Sequence, residues 1–143
     1  MKYLSILLFS LMFFPLAESA QAETDNGEMF VMLTSGDAET QMMALVLTTQ
    51  SVNQGVNVRV LLCSDAGKLA LLNTESPAFR PADRSPADLL RNLINQGVQV
   101  EVCGIFLPNR EYTEADLIEN VSAARPPEVA EFMRKPGLRL FTF

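Results

Sequence analysis

Cys63 and Cys103 are the two side chains of this sequence best suited to covalent chemistry. The chain has no His, which removes Ser-His-Asp and Cys-His catalysis and every His-containing zinc site. Two cysteines are too few for a four-Cys metal site or a disulfide scaffold. Thiol chemistry, carboxylate chemistry and binding without chemistry remain. A reactive thiol must ionise, and an unperturbed cysteine does so only near pH ~8.5. Without His, the help must come from backbone amides or a cation. The amides of the turn after Cys103, at Gly104, are the expected main source. Lys68, five residues from Cys63, and Arg110, seven from Cys103, are the nearby cations.

Other chemistries fit less well. Cys63, Cys103 and one of Met29, Met32, Met42, Met43 or Met133 offer soft ligands for Cu(I), but the methionine spacing suits a core. Asp37, Glu39 and Asp65 fall near strand ends, where capping and solvation account for them. Ser35 has no base beside it. No metal-ligating or cofactor-binding residue is assigned, and no Gly-x-Gly-x-x-Gly phosphate loop occurs.

The elements that must hold the thiols alternate in type. Met29 to Thr34 is a continuous apolar run of strand length. A helix is expected from Ala38 to Asn53, with the stripe Met42, Leu45, Val46, Thr49 and Val52 widened by Met43 and Leu47, so that little of it meets water. Gly55 stops it. Val56 to Leu62 is a second strand, with a short helical stretch around Lys68 to Leu72. Asn73 to Arg84 is a loop. Ser85 and Pro86 open a helix that stops at Gly97. A third strand is expected over Val98 to Leu107, a capped helix start at Tyr112 to Asp116, a short helix from Pro127, and a closing strand from Leu138 to Phe143. This alternation is that of an α/β fold with a mainly parallel sheet and helices on both faces.

Asn53 to Cys63 is echoed by Asn95 to Cys103, each with a Gly stop, an alternating strand and a terminal cysteine. Both thiols therefore belong at the carboxyl edge of the sheet, where open α/β folds gather their ligands. Both share side-chain parity with the polar strand positions, Asn57 and Arg59 or Gln99 and Glu101. Cys63 lies eight residues past its Gly and Cys103 six. That stagger predicts a Cα separation of roughly 8 Å in neighbouring strands, beyond the ~7 Å limit of a disulfide.

Residues 1–22 read as an export signal: Lys2, an apolar run from Leu4 to Leu16, and the small-x-small pattern Ala20-Gln21-Ala22. The mature chain, residues 23–143, is then expected in a periplasm, with no membrane segment after cleavage. With 11 basic and 17 acidic residues the net charge is −6, so nucleic acid is not an expected partner.

From Gly97 through Cys103 the sequence resembles the DsrE/DsrF-like family. Phe30 to Asp37, the long first helix, Cys103 to Asn109, Ala124 to Val129 and Arg139 to Phe143 extend the resemblance over residues 29–143. The resemblance implies a five-stranded three-layer α/β/α sandwich and assembly into a homo-oligomer, a trimer or hexamer. It also implies that Cys103 carries sulfur as a persulfide. The expected function is thus a periplasmic sulfur-carrier or persulfide-handling protein, more a carrier than a turnover enzyme. Cys103 would be the acceptor, Cys63 a second thiol, and the loop Asn73 to Arg84 a cover. Its partner would be a sulfur-donor or acceptor protein or a small sulfur compound. The competing reading is a non-catalytic oligomeric binding module with buried, inert cysteines.

Overall fold

A computed structural model describes residues 27–143; the expected export signal, residues 1–22, lies outside the described residues. Five strands form one sheet: β1 (Glu28–Leu33), β2 (Asn57–Leu62), β3 (Gln99–Val102), β4 (Val121–Ala123) and β5 (Arg139–Thr142). Their order is β4-β3-β2-β1-β5, and every pairing is parallel. Three α-helices cover it: α1 (Ala38–Asn53), α2 (Pro86–Asn95) and α3 (Pro126–Phe132). This is the expected three-layer α/β fold.

Strand parity sorts the core into two halves. Met29, Val31, Leu33, Val58, Val60, Leu62, Val100 and Val102 share one cluster with Leu45 of α1 and with Leu90 and Leu93 of α2. Phe30, Leu61 and Ala124 face the other way, against Val129 and Phe132 of α3. Buried on both faces, the central strands read as unbroken apolar runs, as parallel strands do.

The helix starts follow their local chemistry. Asp37 accepts the Thr40 amide hydrogen bond at 2.8 Å, which pulls the Asp37 pKa down. Ser85 and Asp88 cap α2 reciprocally, with Pro86 in the first turn.

The buried face of α1 is rotated from the expected stripe. It centres on Gln41, Ala44, Leu45 and Thr48, while Met43 and Leu47 are exposed. Gln41 donates its amide to the Ser35 carbonyl and Thr48 its hydroxyl to the Ala44 carbonyl, so both enter the interior with their polarity already satisfied. Further differences concern element bounds. The helical stretch after β2 is a 3-10 helix over Ser64–Ala70. The one expected near residue 112 shrinks to a turn at Glu114–Asp116, and β4 follows it where no strand was expected. At three residues, β4 is too short for a periodic signal.

Candidate functional site

Beyond Val102 the third strand does not run on to Leu107. It ends at Val102, and the chain turns from Cys103, sending Phe106 and Leu107 back into the core. Gly104 makes this turn possible, because a Cβ there would stand 2.7 Å from the Ala124 carbonyl oxygen. Gly67 plays a similar part in the 3-10 helix, where the Phe106 ring lies against its backbone. A Cβ on Gly67 would sit 2.5 Å from two ring carbons. The Gly67→Ala variant is therefore expected to lose about 1–3 kcal/mol through displacement of Phe106. Urea unfolding measures this; an unchanged midpoint would show that the ring moves freely.

The expected stagger between the thiols does not exist. Arg59 pairs with Gln99 and Leu62 with Val102, so the register sets Cys63 opposite Cys103. The Cys103 amide continues the ladder by donating to the Leu62 carbonyl at 2.8 Å. β2 begins one pleat before β3, with Asn57 paired to Glu28 of β1, and this absorbs the two-residue difference counted from the glycines. Directly opposed residues of neighbouring strands are about 4.8 Å apart, inside the span a disulfide accepts. Both cysteines are free thiols and both are half-buried.

A cavity of about 400 Å³ opens on the pair, lined by Cys63, Ser64, Cys103, Ile105, Phe106, Asn109 and Arg110. Cys103 also borders a second, apolar cavity of about 240 Å³ beside α3, with Leu61, Val129, Ala130 and Met133. Cys103 is thus reached from two sides, while Cys63 lines only the first of these two cavities.

Burial pushes the Cys63 thiol up to about 12; its hydrogen bond to the Cys103 sulfur and the repulsion of a charge there add to the effect. Cys63 therefore keeps its proton at neutral pH. The turn amide of Phe106 donates to the Cys103 backbone carbonyl at 2.7 Å, so it serves the turn. Lys68 and Arg110 both pair with Asp65, at 2.9 and 3.3 Å, and lower its pKa, Lys68 most strongly. Arg110 also stacks over Phe106, its guanidinium 5.3 Å from the ring centroid, and it reaches the cysteine cavity; Lys68 does not line it.

The loop expected as a cover lies elsewhere. Asn73 to Pro77 line a separate polar cavity of about 550 Å³ with Asp65, Lys68 and Tyr112. None of these loop residues lines either cavity on Cys103. The larger cavity is lined by no thiol.

One buried feature was visible in the sequence only as polar parity. Arg59 and Glu101 form an ion pair with N–O distances of 2.6 and 2.7 Å, both side chains under 10% exposed. The Arg59 guanidinium lies 4.9 Å from the Phe132 ring centroid, beneath α3. The pair ties β2 to β3, with Arg59 four residues before Cys63 and Glu101 two before Cys103. Among the described residues, no group of three or more His, Cys, Asp or Glu is placed to hold a metal ion. No helix there is long and apolar enough to cross a membrane.

Comparisons agree with this architecture. The uncharacterized protein MJ0760 of Methanocaldococcus jannaschii is 26% identical over 124 residues, covering 85% of this chain and 45% of that protein. The chain thus spans under half the length of that relative. The crystal structure of the ychN protein from E. coli superposes with a TM-score of 0.68 at 21% identity, covering 82% of this chain and 98% of that one. A protein of unknown function, MTH1491 from Methanobacterium thermoautotrophicum, gives 0.59 at 17% identity, covering 81% and 97%. These two structures speak for the fold. The family model described as DsrE/DsrF-like matches residues 27–143. This chain belongs to the DsrE/DsrF-like family, which supports a sulfur-relay-related role in general.

Proposed function

We propose that this protein is an exported sulfur carrier in which Cys103 accepts sulfane sulfur and holds it as a persulfide. The observation that carries the reading is the position of Cys103 at the carboxyl edge of the sheet, bordering two cavities and facing a second thiol that keeps its own proton. Loading balances without an outside oxidant. The Cys103 thiolate attacks a sulfur atom of a polysulfide, a new S–S bond forms, and the donor's S–S bond breaks. The shortened polysulfide leaves with the electron pair. Arg110, at the rim of the cavity, supplies a positive charge for an anionic donor.

The periplasm is the proposed compartment, supported by the signal-like residues 1–22. Assembly into a homo-oligomer is proposed as well. Its support is the exposed apolar surface at Met43, Leu47, Leu140 and Phe141, the last two on edge strand β5.

Inorganic polysulfide tests the carrier reading. Wild-type protein is expected to take up one sulfane sulfur per chain, read as added mass before any sulfide is released, and the Cys103→Ser variant none, with both folded by circular dichroism. Equal loading of the two proteins would overturn it. The inert-module reading makes the opposite demand, that neither sulfur reacts before unfolding.

A further inference from the structure

We propose that Cys63 is a resolving thiol, which attacks the loaded Cys103, releases the carried sulfur as hydrosulfide and leaves a Cys63–Cys103 disulfide. This rests on the carrier reading and adds to it a second reacting residue and a product.

Three features of the geometry support it. The register sets Cys63 and Cys103 opposite each other, and the Cys103 amide is bonded to the residue before Cys63. Directly opposed Cα atoms lie about 4.8 Å apart on neighbouring strands, and disulfides form over Cα separations of about 4.4–6.8 Å. The two side chains meet, since the Cys63 thiol is hydrogen-bonded to the Cys103 sulfur. Both also line one cavity, which gives the departing sulfur a way out.

The step balances within the protein. Cys63 passes its thiol proton to the departing terminal sulfur, and its own sulfur forms a bond to the Cys103 Sγ. The bond between that Sγ and the terminal sulfur breaks, and the terminal sulfur leaves as hydrosulfide with the electron pair. The terminal sulfur is reduced to the sulfide level, and the two cysteines are oxidised from the thiol to the disulfide level. A dithiol reductant returns the pair to its starting state. Because Cys63 is half-buried and its pKa is raised, closure is expected to be slower than with an exposed thiol, which gives the loaded state time to meet an acceptor first.

The test follows one loading. Full-length protein is treated with inorganic polysulfide, freed of excess reagent, and monitored for released sulfide and intact mass. Wild type is expected to release one equivalent of sulfide and end two hydrogens lighter than the reduced chain, with a dithiothreitol-sensitive link between the Cys63 and Cys103 peptides. Cys63→Ser is expected to stay one sulfur atom heavier, releasing no sulfide. Peptide mapping of the wild type gives the same answer without a variant. Loading with sulfide release equal in wild type and Cys63→Ser, or without a Cys63–Cys103 link, would overturn the resolving role and leave the carrier intact. Failure of both proteins to load would overturn both.

Discussion

At pH 8, Cys63 in the folded protein is expected to react with iodoacetamide on the order of 50-fold more slowly than an unstructured cysteine. The thiolate is the nucleophile, and a pKa of about 12 in place of 9.0 lowers its fraction about a thousandfold. A more basic thiolate is intrinsically more reactive. With a Brønsted coefficient near 0.45, three units recover about 20-fold. Loss of thiolate therefore wins, and initial rates read by peptide mapping should rise toward tenfold per pH unit. In Cys103→Ser the hydrogen bond to the Cys103 sulfur and the repulsion of its charge are removed. Cys63 should then react faster, yet still below an unstructured cysteine, because burial is the largest cause. The same group links stability to pH. Its folded pKa lies above the unfolded value of 9.0, so the folded state binds the extra proton between about 9 and 12. This contribution is complete below pH 9 and is lost as pH rises from there, which urea midpoints at pH 8 and 10 would register. A Cys63 that alkylates at pH 8 as fast as an unstructured cysteine would contradict the burial and pairing described above.

Arg59→Ala is expected to cost about 3–5 kcal/mol of stability, because it leaves the Glu101 carboxylate buried without its partner. The same substitution removes the guanidinium from between the sheet and the Phe132 ring. An exposed pair of the same geometry would contribute about 0–1 kcal/mol, so the size of the loss separates a sealed α3 face from a wet one. Replacing both partners with apolar residues, as in Arg59→Met with Glu101→Leu, should recover most of it, since the desolvation cost disappears along with the attraction. Chemical denaturation of the two single variants and the double variant checks this. A loss below about 1 kcal/mol in Arg59→Ala would show that water reaches the pair.

The fold was largely legible because its signals are local and mutually consistent. Continuous apolar strands between capped helices, with Ser85-Pro86 and Gly97 as start and stop, lead to a parallel sheet covered on both faces. Cys103 at the edge was legible too, from the repeated Gly–strand–Cys pattern and the Gly104 turn. The relation between the two thiols was not. Their partnership depends on register, and register is set by hydrogen bonds between strands separated by 40 residues, not by the distance of each cysteine from its own glycine. The Arg59–Glu101 pair was hidden for a related reason. Two polar residues of equal parity read as a solvated edge until α3 covers them. The rotated face of α1 shows a third limit, because Gln41 and Thr48 lose their polar character only through bonds that the fold itself creates.

Peptide-mapped mass spectrometry of the protein isolated from its cells without reductant, before and after inorganic polysulfide, tests the role of Cys103 most directly. The expected result is an added sulfur on the Cys103 peptide, or that peptide joined to Cys63 after sulfide release. A Cys103 that stays a bare thiol in both samples, and that accepts a label only after unfolding, would contradict it.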